Sequence, residues 1–242
     1  MNPAGEGAPG SPQDATGRLW VIATPLGNLG DLSDRARATI AACDLIACED
    51  TRVTGGLLRH LNLTKPMIAY HDHNEKELSA QLADKIAAGA QVALISDAGT
   101  PSISDPGFRL TRECRKRGLL ITPIPGPSAI ITLLSASGLP TNSFRYVGFL
   151  APKSAARIRF LESIRTAEET IVLYESCHRI GDFLEEMLEL LGPNRVVCVG
   201  RELTKLHETI RTGPLGELVP KIKSGSLKGE FTVAIAPADF TL

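Results

Sequence analysis

From Leu19 onward, short apolar runs alternate with stretches whose apolar residues recur at helical spacing, and loops rich in glycine and proline separate the two. This alternation is the signature of an α/β fold. In the first half it predicts strands over residues 19–24, 44–48, 67–70, 91–96 and 120–124. Mostly aliphatic or β-branched along their length, these read as central strands covered on both faces. Helices are predicted over 33–42, 75–88 and 105–117, and another begins near Ser128. Asp105 before Pro106 is a helix-start signal and Gly118 a stop.

The stretch 138–154, GLPTNSFRYVGFLAPKS, interrupts the rhythm and hands over to a second α/β series. It divides the chain into an N-terminal domain over 18–140 and a C-terminal one over 141–242. The second series predicts strands at 146–149, 170–175, 195–200, 207–212 and 231–236, with helices near 155–165, 179–191 and 215–224. Strands 207–212 and 231–236 are candidates for an antiparallel pair. Residues 1–17 hold glycines and prolines but neither a basic start nor an apolar core, which reads as a disordered tail and not as a signal peptide.

Composition narrows the classes of function. With 26 Lys and Arg against 27 Asp and Glu, the net charge of −1 supplies no global field toward nucleic acid or a membrane, so any RNA contact has to come from a local patch. Apolar runs such as 119–121 and 196–199 fall far short of the roughly 20 residues of a membrane span. Cys43, Cys48, Cys114, Cys177 and Cys198 are odd in number and never spaced C-x-x-C. That argues against a disulfide framework or a zinc site, reads as buried small hydrophobes, and predicts a reducing cytoplasm.

Three glycine- and proline-rich loops each follow a predicted strand: 25–30 (PLGNLG), 97–107 (DAGTPSISDPG) and 125–128 (PGPS). Ordinary connecting turns use the same residues. Three of them at strand ends, however, outline a ligand pocket, because open α/β sheets bind ligands outside the carboxyl ends of their strands. The 97–107 loop also exceeds the usual strand-to-helix connection of about 2 to 6 residues. Such loops recognise a ligand through exposed main chain. Gly27-Asn28-Leu29-Gly30 is only G-x-x-G, even with Glu49 and Asp50 following some twenty residues on, so the dinucleotide fingerprint is incomplete, and no phosphate-loop motif occurs.

The segments ATPLGNLGDLS, CEDTR, HNE, SDAGTPSISDPG, PGPSA, YES-x-HR and GEFT, in this order from about Leu19 to Ala236, resemble the tetrapyrrole methylase superfamily (class III methyltransferases), and within it the branch that modifies ribosomal RNA. The resemblance implies two α/β domains with S-adenosylmethionine in the cleft between them. It further implies a homodimer and 2′-O-methylation of a cytidine ribose at the decoding centre of 16S rRNA, on free RNA or the small ribosomal subunit. Carried over by position, the cofactor contacts fall on Leu26, on Asp97, Ala98, Gly99, Thr100, Ser102 and Ile103, on Ser128 and Ala129, and on Tyr174, Phe231 and Thr232. Gly99-Thr100-Pro101 stands where many tetrapyrrole-modifying relatives carry Gly-Asp-Pro, which favours the RNA-modifying side.

A ribose hydroxyl is a poor nucleophile, so methyl transfer to it calls for positioning and a proton acceptor. Two polar clusters at strand ends qualify, residues 49–52 (EDTR) and 71–75 (HDHNE). Asp50 or His73 is the candidate base or hydroxyl orienter, with Arg52 on a phosphate; the competing reading of Asp50 and Arg52 is a helix cap with its salt bridge. His71 and His73 share a face if the segment stays extended, but no third ligand is in view and no metal is expected. Lys153, Arg157 and Arg159, with Arg165 nearby, are the favoured RNA contacts, ahead of the run from Arg109 to Arg117; for both, a solvated face is the plain alternative. Two other readings stay open: a tetrapyrrole or protein methyltransferase of the same superfamily, and a noncatalytic nucleotide-binding or assembly module.

Overall fold

Five parallel strands form the first sheet: β1 (Arg18–Ile22), β2 (Leu45–Cys48), β3 (Met67–Ala69), β4 (Gln91–Ile95) and β5 (Leu120–Ile124), in the spatial order β3-β2-β4-β1-β5. They belong to a computed structural model that describes residues 16–242, so the tail expected over residues 1–17 lies almost wholly outside the described residues. Side chains alternate across the sheet as the pleat requires. Ile22, Ile46, Ala93 and Ile95 pack under α1 (Asp34–Ala42) and α2 (Thr51–His60), while Leu19, Val92 and Leu94 pack under α3 (Glu75–Ala87) and α4 (Phe108–Lys116). Burial on both faces accounts for the aliphatic strands.

A second five-stranded sheet follows, in the order β6-β7-β10-β8-β9. Its strands are β6 (Phe144–Phe149), β7 (Thr170–Ser176), β8 (Val196–Arg201), β9 (Thr209–Pro214) and β10 (Glu230–Ile235). Only β6 and β7 run parallel. One face carries α6 (Ser154–Ser163), α7 (Ile180–Leu191) and α8 (Leu215–Lys223), whose Leu161, Phe183, Met187 and Leu218 join the larger core; the other carries α5 (Ala129–Ser137) through Ile130, Leu133 and Leu134.

Four expectations need correction. The strands at 209–214 and 230–235 do not pair with each other, because β8 lies between them and bonds to both. Helix α2 stood outside the expected elements: Gly55 and Gly56 inside it weaken the helical signal, yet Asp50 caps it by accepting Arg52 N–H at 2.8 Å. Helix α4 starts at Phe108 and not at Asp105, since Gly107 sits at φ +143° and breaks the turn before it. The chain divides into a unit through Pro25 plus Gly30–Gly126, and a unit of Leu26–Leu29 plus Pro127–Leu242. The changeover thus falls at Gly126, ahead of residue 140, and α5 belongs to the second sheet.

Candidate functional site

In the first unit, β1 and β4 are neighbours whose outgoing chains run to opposite sides, β1 to β2 beyond β4 and β4 to β5 beyond β1. Ligands of parallel sheets bind outside such a divergence. The two loops leaving it are tied together: Thr24 N–H donates to Gly99 O at 2.8 Å, and Gly99 N–H to Thr24 O at 3.0 Å. Thr24 Oγ1 also donates to Ser96 O at 3.0 Å.

The 97–107 loop is irregular backbone with an unusual share of left-handed residues, Gly99 at φ +83°, Ser102 at +71° and Ser104 at +62°. Non-glycine residues in that region are strained, and such strain gathers at functional sites. Ser102 N–H donates to Pro106 O at 3.3 Å, yet Ser102 Oγ is buried with no hydrogen-bond partner. Gly107 is needed beside it, because a Cβ there would fall 2.4 Å from Ser102 Oγ. Ile103 is 40% exposed.

Carboxylates converge on this loop. Asp97 Oδ1 accepts the Asp50 N–H at 3.1 Å. Burial raises the Asp97 carboxyl above its ordinary range, and burial with repulsion from Asp97, Asp72 and Asp50 does the same for Glu49. Asp105 is pushed up to about 7, first by burial and then by Glu49, against a lowering bond to the Ser96 side chain. Sequence reasoning used Asp105 only as a helix start; its place in the longest loop was the available signal.

Asp50 is the opposite case. Its carboxylate takes the Arg52 side chain at 3.0 Å through Nε and 2.5 Å through Nη2, besides the Arg52 N–H, and these bonds hold it down to about 2. The cap-and-salt-bridge reading therefore describes this pair, and a carboxylate so held is a poor proton acceptor at neutral pH. Arg52 remains outside, its side chain 89% exposed. Residues 72–74 form a turn and not an extended strand, which leaves His73 exposed, its ring edge-on to that of His71 at 5.8 Å. Among the described residues no group of three His, Cys, Asp or Glu is placed to hold a metal ion.

In the second unit, Ser128 precedes α5 as its N-cap residue and Ala129 opens the helix. Leu26 lies in the short 26–29 segment that packs with this unit; at Gly27 a Cβ would sit 2.4 Å from Lys205 Cγ. Tyr174 packs edge-on against Tyr146 at 5.3 Å and against Phe149 at 5.5 Å, and Thr232 is its partner across β7 and β10. Phe231 is 2% exposed with its ring packed in the core, so what it can offer the donor is its main chain. Glu175 is fully buried and paired with Arg179 at 2.7 Å.

The basic patch requires a correction. Arg157 is buried, bonded to Glu186 at 2.6 and 2.8 Å and to Pro152 O at 2.7 Å, so it is a structural strut and not an RNA contact. Its helical neighbours Lys153 and Arg159 do point outward.

Residues 18–219 match the family model described as Tetrapyrrole (Corrin/Porphyrin) Methylases. The chain belongs to the tetrapyrrole methylase family. Relatives named "Ribosomal RNA small subunit methyltransferase I" include those of Vibrio cholerae serotype O1 (48% identity, covering 90% of this chain and 76% of the relative), Escherichia coli O157:H7 (45%, covering 93% and 79%) and Haemophilus influenzae (51%, covering 81% and 70%). Among solved structures, the methyltransferase CobJ superposes with a TM-score of 0.68 at 17% identity, covering 93% of this chain and 96% of that one. Uroporphyrin-III-C-methyltransferase from Thermus thermophilus does so at 0.63 and 19%, covering 92% and 95%. The two-sheet architecture is thus the tetrapyrrole methylase fold. As a family member the chain is a methyltransferase whose methyl donor is S-adenosylmethionine. The 97–107 loop suits such a ligand, offering an unspent buried hydroxyl at Ser102, which packs against Gly107 more closely than any side chain there would allow.

Proposed function

We propose that this methyltransferase modifies small-subunit ribosomal RNA, transferring the methyl group of S-adenosylmethionine to the ribose 2′-hydroxyl of a cytidine at the decoding centre of 16S rRNA. The observation that carries the reading is the shared name of relatives 45–51% identical to this chain over most of their own length. The tetrapyrrole-modifying neighbours, at 17–19% identity, support the fold alone. The protein works in the cytoplasm as a homodimer.

The bound donor supplies an activated methyl carbon and leaves as a neutral thioether. The chain does the rest. Asp97, Ala98, Gly99, Thr100, Ser102 and Ile103 hold the donor largely by main chain, with Leu26, Ser128, Ala129, Tyr174, Thr232 and the Phe231 backbone as the second unit's contacts. Asp105 takes the proton from the ribose hydroxyl, a role that fits its half-buried place among Glu49, Asp97 and Asp72 and its pKa of about 7. Asp50 fixes Arg52, whose outer face binds an RNA phosphate, and His73 lies at the rim as a hydroxyl orienter. Lys153 and Arg159 add phosphate contacts.

The test is transfer of labelled methyl groups from S-adenosylmethionine to small ribosomal subunits, to naked 16S rRNA and to a corrinoid acceptor, with the modified nucleotide mapped afterwards. A 2′-O-methylcytidine in 16S rRNA is the expected product. Label on a base, on the corrinoid or on no acceptor overturns the reading. Light scattering should give a mass of about twice the 25.8 kDa chain.

A further inference from the structure

The second unit contains a small basic cavity apart from every position assigned above except Phe231, whose ring forms part of its floor. It holds about 70 Å³ and lies where the end of α8 meets β8, β9 and the start of β10. Val199, Ile222 and Phe231 make an apolar floor; Arg201, Arg211 and Lys221 stand around it, with Thr209 and Ser226 as hydroxyl neighbours. Register explains the gathering. Arg201 pairs with both Thr209 and Phe231, and Val199 with Arg211, so these side chains leave the same face of three adjacent strands.

The cations are only partly spent. Arg201 donates to Lys228 O at 2.6 Å, to His207 O at 3.3 Å and to Ser226 Oγ at 3.4 Å, while Arg211 donates to Lys221 O at 3.3 Å. A guanidinium carries five N–H donors. Arg211 therefore keeps most of its donors, and neither arginine has a salt-bridge partner among the described residues. Of the carboxylates nearby, Glu217 holds Lys221 at 3.3 Å on the exposed side of α8, and Glu202, which feels the charge of Arg201, is engaged by Lys205 at 3.0 Å. The surplus is positive, set over an apolar floor that weakens screening by water.

We infer that this cavity binds a phosphate group, and that in the working enzyme the phosphate belongs to the backbone of the RNA substrate, a proposal that rests on the ribosomal RNA reading. Arg211, with most of its donors unspent, stands with Arg201 and Lys221 around a space fit for one phosphate group, and an arginine fork matches phosphate oxygens two at a time. A phosphodiester brings one negative charge to a site with a surplus of positive charge, and sugars on either side pass out through its open mouth. The site adds a contact on the second sheet's outer edge, at β9, to those of Lys153 just before α6 and Arg159 within it.

The experiment measures binding of the full-length protein to a 16S rRNA fragment across a salt series. Replacing both Arg211→Ala and Lys221→Ala should reduce the slope of log K against log salt by about 1, since each phosphate contact contributes about 0.7 to 0.9. Affinity at physiological salt should fall about tenfold, while S-adenosylmethionine binding and melting temperature hold. Arg201 is left intact because it ties down the 226–228 loop. Glu217→Gln, which releases Lys221, should tighten RNA binding a few-fold, a gain that no misfolded variant can mimic. An unchanged slope in the double variant overturns the inference. Inorganic phosphate is titrated in parallel: protection by phosphate that depends on Arg211, with no change in the RNA slope, assigns the cavity to free phosphate and likewise overturns it. If the unaltered protein neither binds nor methylates ribosomal RNA, the parent reading falls; if it does both and only the slope fails to respond, the cavity proposal falls alone.

Discussion

Asp50 and Asp105 are the same side chain put to opposite uses by their partners. Three donors from Arg52 keep Asp50 ionised down to about pH 2, whereas burial beside Glu49 keeps Asp105 protonated up to about pH 7. The second shift sets a sign for stability. Between about pH 4 and pH 7 the folded protein holds a proton at Asp105 that the unfolded chain has released, so stability declines as pH rises through that window. Asp105→Asn should remove this decline and raise the melting temperature at pH 8 relative to the parent, with the difference vanishing near pH 4. If Asp105 also accepts the ribose proton, the same variant should lose about 10²- to 10⁴-fold in kcat with donor binding kept. A stabilised variant at full activity would leave Asp105 as strain without a task. Arg157 shows the same dependence on partners, since its charge answers Glu186 and no solvent-borne ligand.

Among the elements, the 97–107 loop depends most on a single backbone position. Gly107 has φ +143°, and a Cβ there would meet Ser102 Oγ at 2.4 Å and Leu94 Cδ2 at 3.0 Å. Gly107→Ala should therefore cost about 1–3 kcal/mol in chemical denaturation, the range for strained backbone, and should displace Ser102 enough to weaken S-adenosylmethionine binding at least tenfold by calorimetry. Retention of both stability and affinity would mean that the loop tolerates a shift and does not hold the donor through Ser102. The late start of α4 has the same origin. By ending the loop two residues after Asp105, Gly107 leaves that carboxylate among Glu49, Asp97 and Asp72 and off the helix terminus.

At the scale of the molecule, two sheets with separate cores bury nearly every thiol. Cys43, Cys48, Cys114 and Cys198 are buried, and burial raises each thiol, that of Cys43 to about 12 and that of Cys114 to about 11. Only Cys177 is partly exposed. A thiol reagent should accordingly modify about one cysteine in the native protein and five after denaturation; rapid native modification of several would contradict the cores described. Read along the chain alone, periodicity determined all ten strands of the described residues to within two residues, the β9 strand beginning two later than its pattern suggested, and loop composition marked the irregular 97–107 loop. These are local properties, set by which side of each strand or helix must be apolar. Strand order was decided only by the tertiary structure, because β8 and not β9 satisfies the edge of β10. So were the fates of the charged residues. Lys153, Arg157 and Arg159 look alike as a run of bases, and one helical turn with a facing Glu186 sends Arg157 inward and leaves the other two in water. A carboxylate's proton affinity is likewise a sum over neighbours distant in sequence, which is why the opposite shifts of Asp50 and Asp105 could not be read from the chain alone.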